Sequence, residues 1–518
     1  MEEIKLNIDG KPVCATEGMT VLEAALEAGI YIPTLCYHPD LTPHGGCRLC
    51  IVEIDGMKGM PTACTTPAAD GMAVRTATEA LNKVRLDIVE LILADHPLDC
   101  LTCVKNQQCE LLKIAQYIGM EQEHLDRLRK SAQVLPIDRS NPAFEYDPNK
   151  CILCAKCVRA CHEIAGVGAI GLAFRGYEAK VTTSGDRPIV ESICKSCGEC
   201  VARCPTGALM PKWEKAPSRE VKTTCPYCGV GCSLYLGVRD NKIVSVRGDS
   251  EGPTNKGSLC VKGRWGYDFV SHPERLTTPL IRIEGTSRGA PHNGQHHDIF
   301  REATWDEALD LVSERLLEIK QEHGADSLAA LSSAKCTNED NYVMQKFTRA
   351  VLGTNNVDHC ARLCHASTVV GAIAAFGQGA MSNSYEDFEK TDLFFVIGSN
   401  TTDCHPIIGS IIKRRVKAGA ARLIVADPRS IELGDYAAVK LQHRPGTDVA
   451  LINGLMHVIV RDGLEDKQFI KARTEGFEEM RQLIEKYTPE AVEEIAGVPA
   501  PDLEAAAHVF GEAESACV

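Results

Sequence analysis

No apolar run in this 518-residue sequence approaches membrane-spanning length, so no helical span is expected in it. Its first segment, "MEEIKLNIDGKPV", has no basic n-region, no apolar h-region and no twin arginine. An export signal is therefore not expected, and the chain reads as soluble and cytoplasmic. A basic stripe is missing as well: the formal charge of -14 argues against a nucleic-acid partner, because phosphate binding needs clustered cations. Surface charge here mostly favours solubility. The second half has little cysteine, with only Cys336, Cys360, Cys364, Cys404 and Cys517 after residue 260. Nothing reads as one repeated unit, and the length exceeds a single core, so several domains are expected.

What is present is cysteine in the first half. Of 25 cysteines, twenty lie before residue 261, most at fixed short spacings. In a long chain without a signal peptide that distribution indicates metal ligands instead of disulfides.

"IKLNIDGKPV" reads as two short strands around an Asp-Gly turn, and "TVLEAALEAG" as a helix with a Thr20/Glu23 capping box stopped by Gly29. Cys36, Cys47, Cys50 and Cys64 follow, with Gly45 and Gly46 letting backbone amides approach inorganic sulfide. Such a loop suits a 2Fe-2S cluster, with a zinc loop as the alternative. The spacing differs from the plant type and resembles the variant of complex I and iron-only hydrogenases.

"HPLDCLTCVKNQQC" gives His96, Cys100, Cys103 and Cys109 after a helical stretch. Three cysteines do not complete a four-iron cluster. His96 is either a surface or capping residue or the fourth ligand, and the group resembles the 4Fe-4S cluster of the same two families held by one histidine and three cysteines. Imidazole in place of thiolate raises the reduction potential. The charged and then Pro-containing stretch 122–145 reads as a linker.

Next a run occurs twice: Cys151, Cys154, Cys157 and Cys161 repeat as Cys194, Cys197, Cys200 and Cys204, with Pro205 after the last. This is the two-cluster bacterial ferredoxin pattern. In that fold the fourth cysteine crosses over, so Cys204 is expected with Cys151, Cys154 and Cys157, and Cys161 with Cys194, Cys197 and Cys200. "GVGAIG", Gly166 to Gly171, matches a dinucleotide fingerprint, but it follows a cluster loop and not a strand. It carries little weight for nucleotide binding.

Cys225, Cys228, Cys232 and Cys260 form the last group, with short strands between the third and fourth. A structural zinc site is the alternative on spacing alone. The segment resembles the four-iron N-terminal domain of the molybdenum/tungsten bis-pterin oxidoreductases. In that family the lysine matching Lys262 lies between cluster and pterin.

From "TWDEALDLVSERLLEIKQEHG" onward, helical periods alternate with glycine-bounded apolar runs, the pattern of an α/β layer domain. Gly398, Ser399 and Asn400 end one strand before a helix N-terminus suited to phosphate. Asp427 and Arg429 of "DPR" end the next, and Gly446 and Asp448 lie in "RPGTDVAL". Together these turns resemble the guanine-dinucleotide contacts of the bis-pterin family. "CARLCH" resembles the active-site loop of molybdenum- or tungsten-dependent formate dehydrogenases. There Cys364 takes the place of the metal-ligating cysteine or selenocysteine, and His365 that of the neighbour serving proton or substrate. A soft thiolate suits a metal already held by dithiolenes. Cys14, Cys336, Cys360, Cys404 and Cys517 read as small buried hydrophobes, His359 as local structure, and the histidines of "PHNGQHHD" as an exposed loop.

The resemblance covers nearly the whole chain and implies the α subunit of a cytoplasmic, NAD-linked formate dehydrogenase. The sequence stops within an α/β domain, so a split gene or a fragment is expected, with the substrate arginine and a C-terminal pterin domain lying outside it. The fold class is multidomain, α+β and α/β. Its expected parts are a ubiquitin-like 2Fe-2S domain over 1–80, a 4Fe-4S domain with one histidine and three cysteine ligands over 81–121, and the two-cluster ferredoxin over 146–216. A small 4Fe-4S β domain over 219–275 then leads into Rossmann-like layers of the molybdopterin oxidoreductase fold over 276–518. The implied cofactors are one 2Fe-2S cluster, four 4Fe-4S clusters and bis-molybdopterin guanine dinucleotide with molybdenum or tungsten. Formate and carbon dioxide would be substrate and product, with Cys364, His365 and Lys262 catalytic. Electrons would leave to a flavin- and NAD-binding iron-sulfur subunit or a hydrogenase subunit. The rival is a conduit subunit of an NADH:quinone oxidoreductase or hydrogenase complex, against which the Cys364–His365 pair and Lys262 argue. An iron-only hydrogenase would share the N-terminal portion, but no further cluster-binding cysteines suited to its active site follow Cys260, and the long N-terminal extension and the Cys-His pair disfavour nitrate reductase.

Overall fold

The computed structural model describes residues 3–121, 123–124, 134–286 and 299–518. They form two compact units, Met1–Tyr267 with Tyr385–Val518, and Asp268–Ser384. The expected α/β domain over 276–518 is thus divided at Ser384. The "PHNGQHHD" histidines lie outside the described residues.

The first unit opens with the hairpin of β1 (Glu3–Ile8) and β2 (Lys11–Thr16). Its turn, Asp9 at φ 50° and Gly10 at φ 80°, matches the right-handed strand twist. Helix α1 (Val21–Glu27) starts at the expected capping box: Thr20 accepts from the Glu23 amide, and Glu23 accepts from the Thr20 amide at 2.8 Å. With β3 (Glu53–Ile54) and β4 (Ala73–Arg75) the sheet order is β2-β1-β4-β3, and Val21, Leu22, Ala24 and Ala25 of α1 pack on Leu6, Ile8 and Val74. Two helices follow, α2 (Glu79–Ala94) and α3 (Glu110–Tyr117). Arg85 of α2, fully buried, donates to Leu49 O at 3.0 Å and Ile51 O at 2.8 Å, which ties the helix to the Cys47–Cys50 loop.

In the ferredoxin-like part β5 (Phe144–Tyr146) pairs with β8 (Leu209–Pro211), and β6 (Gly171–Ala173) with β7 (Lys180–Thr182). Short helices α4 (Lys156–Arg159) and α5 (Glu199–Ala202) start inside the two cysteine runs. The stretch read as a linker is folded from Leu135: its amide donates to Asn149 at 2.8 Å, and the Asp138 carboxylate accepts from the Ser140 and Ile189 amides. The following antiparallel sheet comprises β9 (Arg219–Thr224), β10 (Ser233–Arg239) and β11 (Lys242–Gly248), before α6 (Val261–Trp265).

The second unit pairs β12 (Leu280–Arg282) with β13 (Phe300–Glu302), and β14 (Ala330–Ser332) in parallel with β15 (Val357–His359). Its helices are α7 (Trp305–His323), α8 (Asn338–Lys346), α9 (Ala361–Cys364) and α10 (Ala366–Phe376), and among the described residues none of these four has a buried residue.

The chain then returns to the first unit with β16 (Leu393–Ile397), α11 (Thr401–Cys404), α12 (Pro406–Lys417), β17 (Arg422–Ala426), β18 (Val439–Leu441) and α13 (Asp448–Arg461). Helices α14 (Pro489–Ala496) and α15 (Ala500–Gly511) precede β19 (Ala516–Cys517). The parallel sheet order is β18-β17-β16-β19, so the connections change direction at β16. Its core joins Leu393, Ile424 and Leu441 to Leu455, Val492 and Leu503.

Among the described residues no helix is long and apolar enough to cross a membrane. Cys517 is buried as expected, but Cys14, Cys336, Cys360 and Cys404 are exposed. For Cys14 the reason is strand alternation: Val13 and Ala15 face the core, and Cys14 faces out on edge strand β2.

Candidate functional site: cysteine quartets and a parallel-sheet edge

At the first group the sulfurs meet in two pairs. The Cys36 thiol hydrogen-bonds Cys47, drawing Cys47 down to about 5, and the Cys50 thiol does the same to Cys64, which is also lowered. Amides reach the same sulfurs, Leu35 N to Cys47 and Cys47 N to Cys36, each at 3.4 Å. Gly45, at φ 65°, turns its amide toward Cys64, which is what the glycine there is for. Two pairs of thiolates fit two irons.

His96 is fixed by an Nδ1 contact to Pro97 O at 2.9 Å, while its buried Nε2 has no hydrogen-bond partner among the described residues. Burial pushes the imidazole's pKa below its ordinary value, which favours the neutral ring. A neutral ring anchored through Nδ1 with Nε2 bare is the state of a metal ligand. Cys100 and Cys103 act electrostatically on Cys109.

The crossover in the repeated runs is present in the fold. Cys161, Cys194, Cys197 and Cys200 line one cavity of about 460 Å³. Cys151, Cys154, Cys157 and Cys204 line another, far smaller. Amides aim at these sulfurs, Ala169 N to Cys161 at 3.2 Å and Ser196 N to Cys194 at 3.4 Å. Leu153, Ala155 and Ser196 hold positive φ of 54°, 58° and 51°. Such backbone costs about 1 kcal/mol or more per residue, and here it turns amide groups toward the sulfurs, as in an anion-binding nest. Cys225, Cys228, Cys232 and Cys260 also gather, each of the others raising Cys232 after burial has pushed it up. Among the described residues no three His, Cys, Asp or Glu side chains converge closely enough for one metal ion. Four sulfurs gathered around each of the two ferredoxin-like cavities, with backbone amides aimed at them, suit iron-sulfur clusters.

"GVGAIG" is covered by α12: Ser410 donates to Ala165 O, Lys417 donates to Gly166 O at 2.6 Å, and a Cβ on Gly166 would lie 3.2 Å from Lys413.

The expected pterin-contact residues sit along the C-terminal edge of the parallel sheet, where ligands bind in open α/β folds. Gly398, at φ 61°, leads Ser399 and Asn400 at the point where the strand order reverses. The helix expected after them is broken: α11 spans four residues, and His405 at φ -134° precedes Pro406, which starts α12. The Asp427 carboxylate, expected to meet a ribose or guanine, is gripped by the Arg429 amide and guanidinium at 2.8–3.0 Å. Gly446 stands at φ 81°, and Asp448 accepts from the buried His443 at 3.0 Å.

Lys262, two residues after Cys260, donates to Asp403 O at 2.9 Å, so it stands between the last quartet and that edge. His405 was missed in the sequence. Its Nε2 lies 3.8 Å from where a Gly229 Cβ would be, and burial followed by the Lys262 charge depresses its pKa. The signal was "CHP", a histidine before a helix-starting proline.

In the second unit Cys364 and His365 are both exposed, at the joint between α9 and α10, where His365 adopts φ -153° and ψ 19°. Neither side chain has a hydrogen-bond or ionic partner among the described residues. His359, read as local structure, caps this turn by accepting from the Ala361 amide at 3.0 Å.

Five family models match in series: the 2Fe-2S iron-sulfur cluster binding domain over 1–79 and the NADH-ubiquinone oxidoreductase-G iron-sulfur binding region over 85–124; the ferredoxin-like domain of NADH-quinone oxidoreductase subunit 3 over 141–210 and the molybdopterin oxidoreductase Fe4S4 domain over 218–272; and molybdopterin oxidoreductase over 275–495. A Bacillus subtilis (strain 168) protein, provisionally named oxidoreductase YjgC, is 33% identical over 99% of this chain and 55% of its own length. A Staphylococcus aureus (strain MRSA252) protein, provisionally named a formate dehydrogenase, is 32% identical over 100% of this chain and 55% of its own. The chain thus spans about half the length of these curated relatives. Among solved structures, an NAD+-reducing nickel-iron hydrogenase aligns at 34% identity and TM-score 0.38, over 40% of this chain and 87% of that one. Acetylene hydratase from Pelobacter acetylenicus aligns at 26% identity and TM-score 0.48, over 57% of this chain and 39% of that one.

Proposed function

We propose that this chain, which belongs to the molybdopterin oxidoreductases and carries NADH-quinone-oxidoreductase-type iron-sulfur domains ahead of that segment, is the catalytic subunit of a cytoplasmic formate dehydrogenase. The observation that carries the reading is Cys364, an exposed thiol beside His365 at a helix joint inside the stretch that matches the molybdopterin oxidoreductase model. Relatives named as formate dehydrogenases support the substrate.

A bis-pterin molybdenum or tungsten centre, when bound, supplies the two-electron oxidation of the formate carbon. Cys364 provides it one soft, anionic ligand. His365, next in sequence and exposed, holds the proton released as carbon dioxide forms. Gly398, Ser399, Asn400, Asp427, Arg429, Gly446 and Asp448 form the edge that receives the dinucleotide tails. Lys262 places a cation between that edge and the Cys260 quartet. Five ligand groups, His96 among them, hold one 2Fe-2S and four 4Fe-4S clusters, whose one-electron chemistry suits a flavin- and NAD-binding or hydrogenase partner.

Metal analysis and formate-dependent dye reduction by the purified protein test this. Molybdenum or tungsten should be found with iron, and Cys364→Ala should abolish turnover at unchanged iron content. Formate oxidation retained in that variant would refute the assignment of Cys364, and iron without either heavy metal would favour the conduit reading instead.

A further inference from the structure

Helix α6 begins directly after Cys260 and buries its last two residues in the other run of cysteines. Arg264 donates from Nε to the carbonyl of Cys197 at 2.8 Å, and Trp265 donates from Nε1 to the carbonyl of Ser196 at 2.8 Å. Between Cys197 and Cys200 lies Glu199, 3% exposed. One of its oxygens accepts from Arg264 Nη2 at 2.6 Å and from the Leu259 amide at 2.9 Å, and the other accepts from Arg203. Arg203 in turn donates to Asp40 at 2.8 Å. Gly198, at φ 75°, makes room: a Cβ there would lie 2.4 Å from Arg264 Cδ and 2.6 Å from the Trp265 ring.

A buried carboxylate and a buried guanidinium are costly to keep, and this pair lies against a cysteine ligand instead of at an edge. Arg264 sits on the carbonyl of Cys197, and the carboxylate it holds belongs to the residue two positions after Cys197, so a cation and an anion of opposite effect lie beside the same ligand. Cluster potentials follow net charge and hydrogen bonding around the sulfurs. The sister quartet has Lys156 as its close cation, neutralised by Glu110 at 2.7 Å.

We propose that Glu199 and Arg264 are positioning residues of a potential-setting junction, which joins the Cys225–Cys260 quartet to the quartet of Cys161, Cys194, Cys197 and Cys200 and tunes the latter. The inference rests on the iron-sulfur reading above, and not on formate as the substrate.

Potentials of the full-length, cluster-loaded chain, titrated with dithionite and followed by electron paramagnetic resonance, test it without any turnover. A Cys197→Ser variant identifies which signal belongs to the tuned cluster. Removing the cation in Arg264→Gln should lower the reduced-to-oxidised ratio of that cluster at fixed potential about tenfold, some 59 mV for one electron. Removing the anion in Glu199→Gln should raise it by a comparable factor, with the other signals unmoved. A merely structural clamp would shift both variants the same way, and that outcome overturns the proposal, as does a shift confined to another cluster. If Arg264→Gln loses its iron, Glu199→Gln set against the charge-conserving Arg264→Lys carries the test: an upward shift in the first and none in the second supports the junction, and equal behaviour rejects it. A wild-type chain lacking four-iron signals overturns the iron-sulfur reading and the junction together, whereas normal signals indifferent to all three substitutions overturn the junction alone.

Discussion

A histidine with one ring nitrogen left without a partner among the described residues is the most telling single residue of the N-terminal part. In sequence His96 had two readings, and one atom separates them: Nε2 is buried and unbonded while Nδ1 is spoken for. A buried ring nitrogen left without a partner costs about 1–3 kcal/mol, so a surface or capping role does not account for it. His96→Ala should lower the iron content by about four atoms per chain, one four-iron cluster, and remove its resonance signal while the others persist. His405 makes a pH prediction at the same scale. Its pKa is depressed by burial and then by Lys262, so the folded chain prefers neutral imidazole. The stability this gives is fully present above the unfolded value, about 6.5, and is lost as pH falls below it toward the folded pKa. Between pH 7.5 and 5.5 the wild type should therefore lose more thermal stability than His405→Gln, as scanning calorimetry or fluorescence melts would register. Cys364 needs no pKa argument, only access, and it is exposed.

At the scale of elements, the short α6 and the long α12 do the joining. Helix α12 starts beside the sheet edge at Pro406 and lays Ser410, Lys413 and Lys417 on the loop after Cys161. That packing leaves "GVGAIG" with no open phosphate cradle, which is why a glycine-rich match fails there as a nucleotide site. Helix α6 depends on Gly198 for its seat. Gly198→Ala would force an L residue to φ 75° and drive its methyl into Arg264 and Trp265. The expected cost is about 2–4 kcal/mol from strain and overpacking together, visible as a lowered unfolding midpoint in denaturant. The capping box of α1 and the Asp-Gly hairpin were legible because each is settled within four residues of sequence. The break at His405 and the Glu199 ion pair were not: Arg264 is 65 residues from its partner, and nothing local marks either charge as buried.

For the whole molecule, the apolar surface of the second unit stands out. Trp305, Leu309, Val312 and Leu317 of α7 and Val370, Ile373 and Phe376 of α10 are all exposed. Helices in water owe most of their stability to a packed face. The amides of α7 in this chain alone should therefore exchange with deuterium much faster than those of α13, whose Leu451, Leu455 and Val458 are buried. Comparable protection in the two helices, read by mass spectrometry, would contradict this. The sequence by itself marked the cysteine runs, because many of their members recur at three- and four-residue spacing, as in Cys151, Cys154, Cys157 and Cys161, and the same local logic placed strands and turns. Only the tertiary structure decided which charges lie beside the quartets, and that Lys262 and His405 meet at one sheet edge. Those are contacts between residues tens to hundreds of positions apart, fixed by how the layers pack and by what that packing leaves without water.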